Sequence, residues 1–264
     1  MSRIMETKYV ENKNSKSKIE FETTGEGDWK VWDRYLTIDN KKAYHIGNVC
    51  GTCRFFFERM NGANQSISPK KTINMLNNGL DIIKSKVLKE VMTIIPEDNY
   101  FVNLMEINPK LVTLNTETDY FSNEQVKVWG IDGFWGFPHH PRISYYRGET
   151  KLIEKNKKLY EFIVPMFPQG WLDINTVKKY KEAINLGKKP TCIAISILDI
   201  KEHYAFENEE DLSAHWCLSH YIIDGHHKLF ASYETGNPIT MLSFVAVDKG
   251  ISQLEDIKLL LEHI

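Results

Sequence analysis

The stretch His220-Tyr-Ile-Ile-Asp-Gly-His-His-Lys-Leu-Phe-Ala-Ser-Tyr-Glu-Thr-Gly-Asn-Pro238 decides how the chain is read. Residues 221–223 read as a short apolar strand, Asp224-Gly225-His226-His227 as a polar turn, and residues 228–235 as a helix. Gly236 suits the left-handed position after a helix, and Pro238 blocks continuation. A strand that turns at a glycine into a helix aims the first unpaired N–H groups of that helix at one point. Those donors, with the positive end of the helix dipole, attract phosphate or carboxylate. The turn also carries an acid, two imidazoles and an ammonium. It is read either as an anion site or as a polar corner whose histidines are satisfied by local hydrogen bonds.

The segments on either side are orderly. Glu161-Phe-Ile-Val-Pro-Met166 predicts a strand, and Asp173 or Asn175 caps a helix that buries Val177, Tyr180, Ala183 and Ile184. Gly187 ends that helix. Pro190 opens an almost wholly apolar run to Ile200, a strand buried on both faces of a mixed or parallel sheet. An acidic loop at 207–211 leads to His215-Trp216-Cys217. After Pro238 comes a strand over 239–247, then an amphipathic helix over 251–264. The expected fold class is α/β, with helices on a mixed sheet.

Composition sets limits. With 42% hydrophobic and 12% aromatic residues, the 264-residue chain can bury a large core. Thirty-three Lys and Arg against 35 Asp and Glu leave a net charge of −2, which argues against nucleic acid as a partner. No apolar run spans a membrane and no secretion signal opens the chain, so a cytoplasmic location is expected. Four cysteines in that setting do not suggest a disulfide framework.

The first half speaks less clearly. Residues 1–20 are polar and read as a flexible arm, and residues 21–155 as an α+β region. Strands are expected over 29–32, 35–38 and 54–57, with a hairpin connection at Asp39-Asn-Lys-Lys42. Ser68-Pro69 looks like a helix start. Ile83, Val87, Leu88, Val91 and Ile95 mark the buried face of another helix, ended by Pro96. Residues 126–142 read as a long loop between strands, and His139-His140-Pro-Arg142 within it is either a pinned surface turn or an arm reaching a site. A soft boundary is placed where Lys and Glu crowd near 150–158. Cys50-Gly-Thr-Cys53 has the spacing of half a zinc knuckle, so Zn²⁺ held by Cys50 and Cys53 is one expectation; redox chemistry and a plain strand start are the others. His215, His220, Asp224, His226 and His227 form a second conceivable metal cluster, suited to a metal-dependent nuclease or phosphohydrolase.

The succession from Glu161 to Val247 resembles the ParB/sulfiredoxin-like fold: Phe162-Ile-Val-Pro165, a helix after Leu172-Asp173, the strand from Pro190, the turn Asp-Gly-His-His-Lys228 with its helix, and a strand introduced by Pro238. Residues 156–264 are therefore expected to form such a domain, with 21–155 embellishing it. The resemblance implies a nucleotide, ATP or ADP with Mg²⁺, bound at the turn-to-helix junction, and a phosphotransferase or nucleotide hydrolase acting on a small molecule. It assigns Asp224, His226 and His227 to catalysis, and Gly225, His226, His227 and Lys228 to the phosphates. Lys228 stands where related turns carry Arg, so the bidentate fork is lost. The turn lacks the cysteine that sulfinic-acid reduction requires. A non-catalytic scaffold with a Cys50/Cys53 metal site is the alternative.

Overall fold

The apolar run that opens at Pro190 lies at the centre of the molecule, and the other elements layer around it. The computed structural model describes residues 2–27, 31–131, 136–203 and 214–264. In chain order, Arg3–Asn12 (β1) precedes Ile19–Thr24 (β2), Asp33–Ile38 (β3), Lys41–Asn48 (β4) and the short Glu58–Arg59 (β5). Helices Ile73–Asn78 (α1) and Ser85–Val91 (α2) lead to Asp98–Ile107 (β6), Lys110–Leu111 (β7) and Glu124–Trp129 (α3). Tyr146–Glu154 (β8) and Lys157–Val164 (β9) form a hairpin, followed by Ile174–Asn185 (α4), Thr191–Lys201 (β10) and Ala214–Asp224 (β11). His226–Thr235 (α5), Ile239–Ala246 (β12) and Leu254–His263 (α6) close the described chain.

Eight strands make one mixed sheet in the order β1-β6-β12-β10-β11-β9-β8-β7, and β2-β3-β4-β5 make a smaller one. β10 runs parallel to β12 and antiparallel to β11, while β11 runs parallel to β9. The expected α/β class with a mixed sheet is what forms. One face of the large sheet packs on the small sheet and on α1 and α2, through Tyr100, Ile195, Phe162 and Tyr221 against Leu36, Tyr44, Phe57 and Val87. The other face is covered in two patches. Val177 and Ile184 of α4 with Leu229 of α5 cover one, and Ile257 and Leu260 of α6 cover the other. Among the described residues no helix is long and apolar enough to cross a membrane.

Several expectations about the first half change. Residues 3–12 are not a loose arm but a strand paired along β6. Its side chains alternate between exposed and half-buried, so main-chain pairing at a sheet edge, rather than burial, holds it. The boundary near 150–158 falls inside the β8–β9 hairpin, and β6 sits between β1 and β12, so strands from both halves share one sheet. Residues 54–57 are irregular rather than a strand, although Phe55 and Phe57 are buried in the core. Ser68 caps no helix; α1 starts after Thr72. Part of the loop expected over 126–142 is helix α3. The hairpin at Asp39-Asn40 forms as expected, both residues adopting positive φ. Of the strand expected over 29–32, residues 29 and 30 lie outside the described residues, as does the acidic loop at 207–211.

Candidate functional site

The corner between β11 and α5 has the expected backbone. Gly225 adopts φ 101°, and a Cβ there would sit 2.6 Å from the Cβ of Cys192, so both conformation and space demand glycine. The side chains of the turn are mostly spent on the protein itself. His226 Nε2 accepts the backbone N–H of Met166 at 3.0 Å, and His227 Nε2 accepts that of Asp173 at 3.1 Å. Each ring therefore carries its proton on Nδ1 and is neutral. Burial pushes the His226 pKa down to about 3, helped by neighbouring His227 and Arg59; burial also lowers that of His227. Lys228 is turned inward, its Nζ donating to the Thr191 carbonyl at 2.9 Å with the Asp224 carboxylate 3.6 Å away. Desolvation lowers its pKa against the pull of Asp224. Asp224 in turn accepts from the Ser68 hydroxyl at 2.6 Å. Of the five residues expected to form the site, Lys228 and Asp224 face the interior and His227 anchors the start of α4.

His226 alone also faces a recess. It is about 160 Å³ and is lined by Arg142, Ser144, Tyr146, Pro165, Phe167 and Gln169 among others. With Nε2 committed to Met166, the ring offers Nδ1–H as its remaining donor. Arg142 adopts φ 58°, uncommon for a residue with a side chain, and its guanidinium pairs with Glu58. Its own N–H donates to His140 Nδ1 at 3.0 Å across Pro141, which fixes the bend. Arg59 stands behind, donating from Nε to the Met166 carbonyl at 2.6 Å. Arg142 also borders a wider cleft of about 720 Å³, lined by Cys53, Arg54, Phe56, Phe137 and His139. His139-His140-Pro-Arg142 thus reaches a concave site.

A second constellation crosses the face of the large sheet, and the sequence reading missed it. Ser196 Oγ lies 2.7 Å from His220 Nδ1, and His220 Nε2 lies 3.1 Å from Glu161 Oε1. Ser243 Oγ joins Ser196 at 2.8 Å. The other carboxylate oxygen of Glu161 accepts from the Ser2 hydroxyl and the Glu149 N–H, each at 2.5 Å. Desolvation pushes the Glu161 pKa up, but the bonds and charge of His220, with those from Ser2 and Glu149, outweigh it and hold the carboxyl below its usual range. Gly148 makes room, since a Cβ there would lie 2.1 Å from the carboxylate. Hydroxyl, imidazole and carboxylate stand in the order of an activated serine. Yet Ser196, His220, Glu161 and Ser243 are all 0% exposed, so no substrate reaches the hydroxyl. This is an internal relay that ties β12, β10, β11, β9 and β8 together. The available signal was a glutamate, a serine and a histidine inside otherwise apolar strand runs.

The geometry lends the metal expectations no support. Cys50 and Cys53 are joined as a disulfide, which leaves no thiolates for Zn²⁺. His220 has both ring nitrogens engaged in the relay, on Ser196 and Glu161, and His226 and His227 each use Nε2 on a backbone amide, so the second cluster does not converge. No group of three or more candidate ligands occurs among the described residues. The fold and site together define a mixed α/β protein with a small recess, lined by apolar as well as polar side chains, at a strand–glycine–helix corner. No protein-family model, curated protein or solved structure matches the chain.

Proposed function

We propose that the recess beside His226 binds the phosphate of a small molecule, and that the rest of that molecule extends into the wider cleft beyond Arg142. The observation that carries this reading is the convergence of Arg142, Ser144, Gln169 and His226 on one small cavity at the N-terminal end of α5. Arg142 supplies charge, and His226 Nδ1–H supplies a fixed donor at any pH above its low pKa. The recess accommodates a phosphate-sized group but not a nucleoside; the cleft has the volume typical of small-molecule sites. A nucleotide such as ATP or ADP fits that division, in keeping with a ParB/sulfiredoxin-like domain. The order β9-α4-β10-β11-α5-β12 supports that relationship. A cytoplasmic location belongs to the same proposal.

Binding is better supported than catalysis. His226 and His227 both use Nε2 on backbone amides, so neither is poised to exchange a proton. Asp224 faces Ser68 and Lys228, a donor set that does not fit a protein-held Mg²⁺. The reading is therefore a phosphate- or nucleotide-binding protein.

Thermal unfolding with inorganic phosphate, ADP and ATP, each with and without Mg²⁺, tests the proposal. Ligand at a hundredfold its Kd stabilises by about 2.7 kcal/mol. Arg142→Gln is expected to abolish the shift at little cost to stability, because the Arg142 side chain is largely exposed and its pairing with the half-buried Glu58 is screened by solvent. His227→Ala is expected to keep it. Absence of any shift, or a shift that survives Arg142→Gln, overturns the assignment.

A further inference from the structure

We infer that Cys50 and Cys53 form a thiol–disulfide exchange site whose substrate is a small anionic thiol entering the 720 Å³ cleft. The disulfide closes one of the shortest possible loops, where constraint of the unfolded chain contributes least, so a purely stabilising role is a poor explanation for it. Its surroundings are built asymmetrically. Cys53 lines the cleft, whereas Cys50 does not. The Cys50 sulfur instead receives the backbone N–H of Cys53 at 3.0 Å and lies 3.6 Å from the Thr52 hydroxyl. Both groups stabilise negative charge on Cys50 once the bond opens, which makes it the better leaving group.

The loop is also held from outside the disulfide. Lys201 Nζ donates to the Cys50 carbonyl at 2.7 Å, the Glu202 N–H to that of Gly51 at 2.9 Å, and Trp129 Nε1 to that of Thr52 at 2.9 Å. Three consecutive carbonyls are anchored on β10, on the residue after it and on α3, so the loop keeps its shape when the sulfurs separate. Among the described residues that line the cleft, Arg54 and Arg142 stand against one carboxylate, Glu58, which suits a thiol that carries a carboxylate. The other two cysteines, Cys192 and Cys217, are buried, and burial raises both their pKa values, so they stay out of the exchange.

The chemistry balances without an outside oxidant. A substrate thiolate attacks the Cys53 sulfur, the Cys50–Cys53 bond breaks, and Cys50 leaves as a thiolate that takes up a proton. A second substrate thiolate attacks the substrate sulfur of the mixed disulfide and releases Cys53. The net change is one protein disulfide plus two thiols giving one protein dithiol plus one small-molecule disulfide, and it runs equally in reverse.

Glutathione, reduced and oxidised, is the probe, and the full-length protein the material. Intact mass after rapid alkylation across a series of glutathione ratios is expected to show one reversible two-electron step, confined to Cys50 and Cys53. With oxidised glutathione, Cys50→Ser is expected to accumulate a stable adduct of one glutathione on Cys53, and Cys53→Ser several-fold less on Cys50. The wild-type titration needs no variant to fold. Cysteines that remain fully reduced at every ratio, or an adduct that forms preferentially on Cys50, refute the inference. So does co-purifying zinc that must be stripped before either sulfur reacts.

Discussion

Replacing His220 by leucine probes the buried relay directly. Glu161 is ionised inside the protein, and three donors hold its charge: His220 Nε2–H at 3.1 Å, and the Ser2 hydroxyl and Glu149 N–H at 2.5 Å. Leucine roughly keeps the volume but leaves Oε1 bare among fully buried side chains. Breaking a buried charged pair from one side costs about 3–5 kcal/mol, a large share of a typical total stability of about 5–15 kcal/mol. Glu161→Gln is expected to cost far less, about 1–2 kcal/mol. Its oxygen can still accept from Ser2 and Glu149, and its NH₂ can donate to His220 Nε2 if the imidazole proton moves to Nδ1 and is given to Ser196. The double variant should therefore cost less than the sum of the two, because the charge that His220→Leu strands is already gone. Urea unfolding followed by tryptophan fluorescence, with Trp216 buried on β11, reports all three values. If His220→Leu stays within about 1 kcal/mol of wild type, or Glu161→Gln proves equally costly, the relay does not carry a buried charge and the reasoning fails.

Two further outcomes follow from the same geometry. His226 titrates near 3 when folded and near 6.5 when free, so the unfolded chain takes the proton first. Its stabilising contribution is present above about pH 6.5 and is lost as pH falls toward 3, at about 1.4 kcal/mol per pH unit. His226→Gln should flatten the urea-derived stability profile between about pH 6 and 4 by that amount, and parallel profiles would contradict the assignment. Gly225→Ala combines a left-handed backbone with a Cβ contact of 2.6 Å to Cys192. A loss of about 2–4 kcal/mol is expected in thermal or urea unfolding, and a neutral result would mean that the corner is looser than described.

Much of the second half was legible because its signals are local. Periodicity, caps and punctuation at Gly187, Pro190, Gly236 and Pro238 mark elements whose energy comes from burying one face or two, and those elements form close to where expected, although the short strand read over 221–223 extends back to Ala214. The strand–glycine–helix corner was equally plain, since φ at Gly225 follows from the residue type itself. Strand β1 was hidden because an edge strand needs a partner's main chain more than an apolar face, and that partner, β6, lies some ninety residues away. Which way each polar side chain of the turn points was also undetermined. His227 and Lys228 are neighbours in the chain, yet one reaches a helix N-terminus and the other a buried carbonyl. Tertiary structure alone decided the rest: sheet register set Ser196 against His220 and placed Glu161 within reach, loop packing brought Arg142 to His226, and chain folding turned Cys53 toward a cleft and Cys50 away from it. Sequence fixes conformational preference residue by residue, whereas a site depends on distances across the fold, which appear only once the strands are paired.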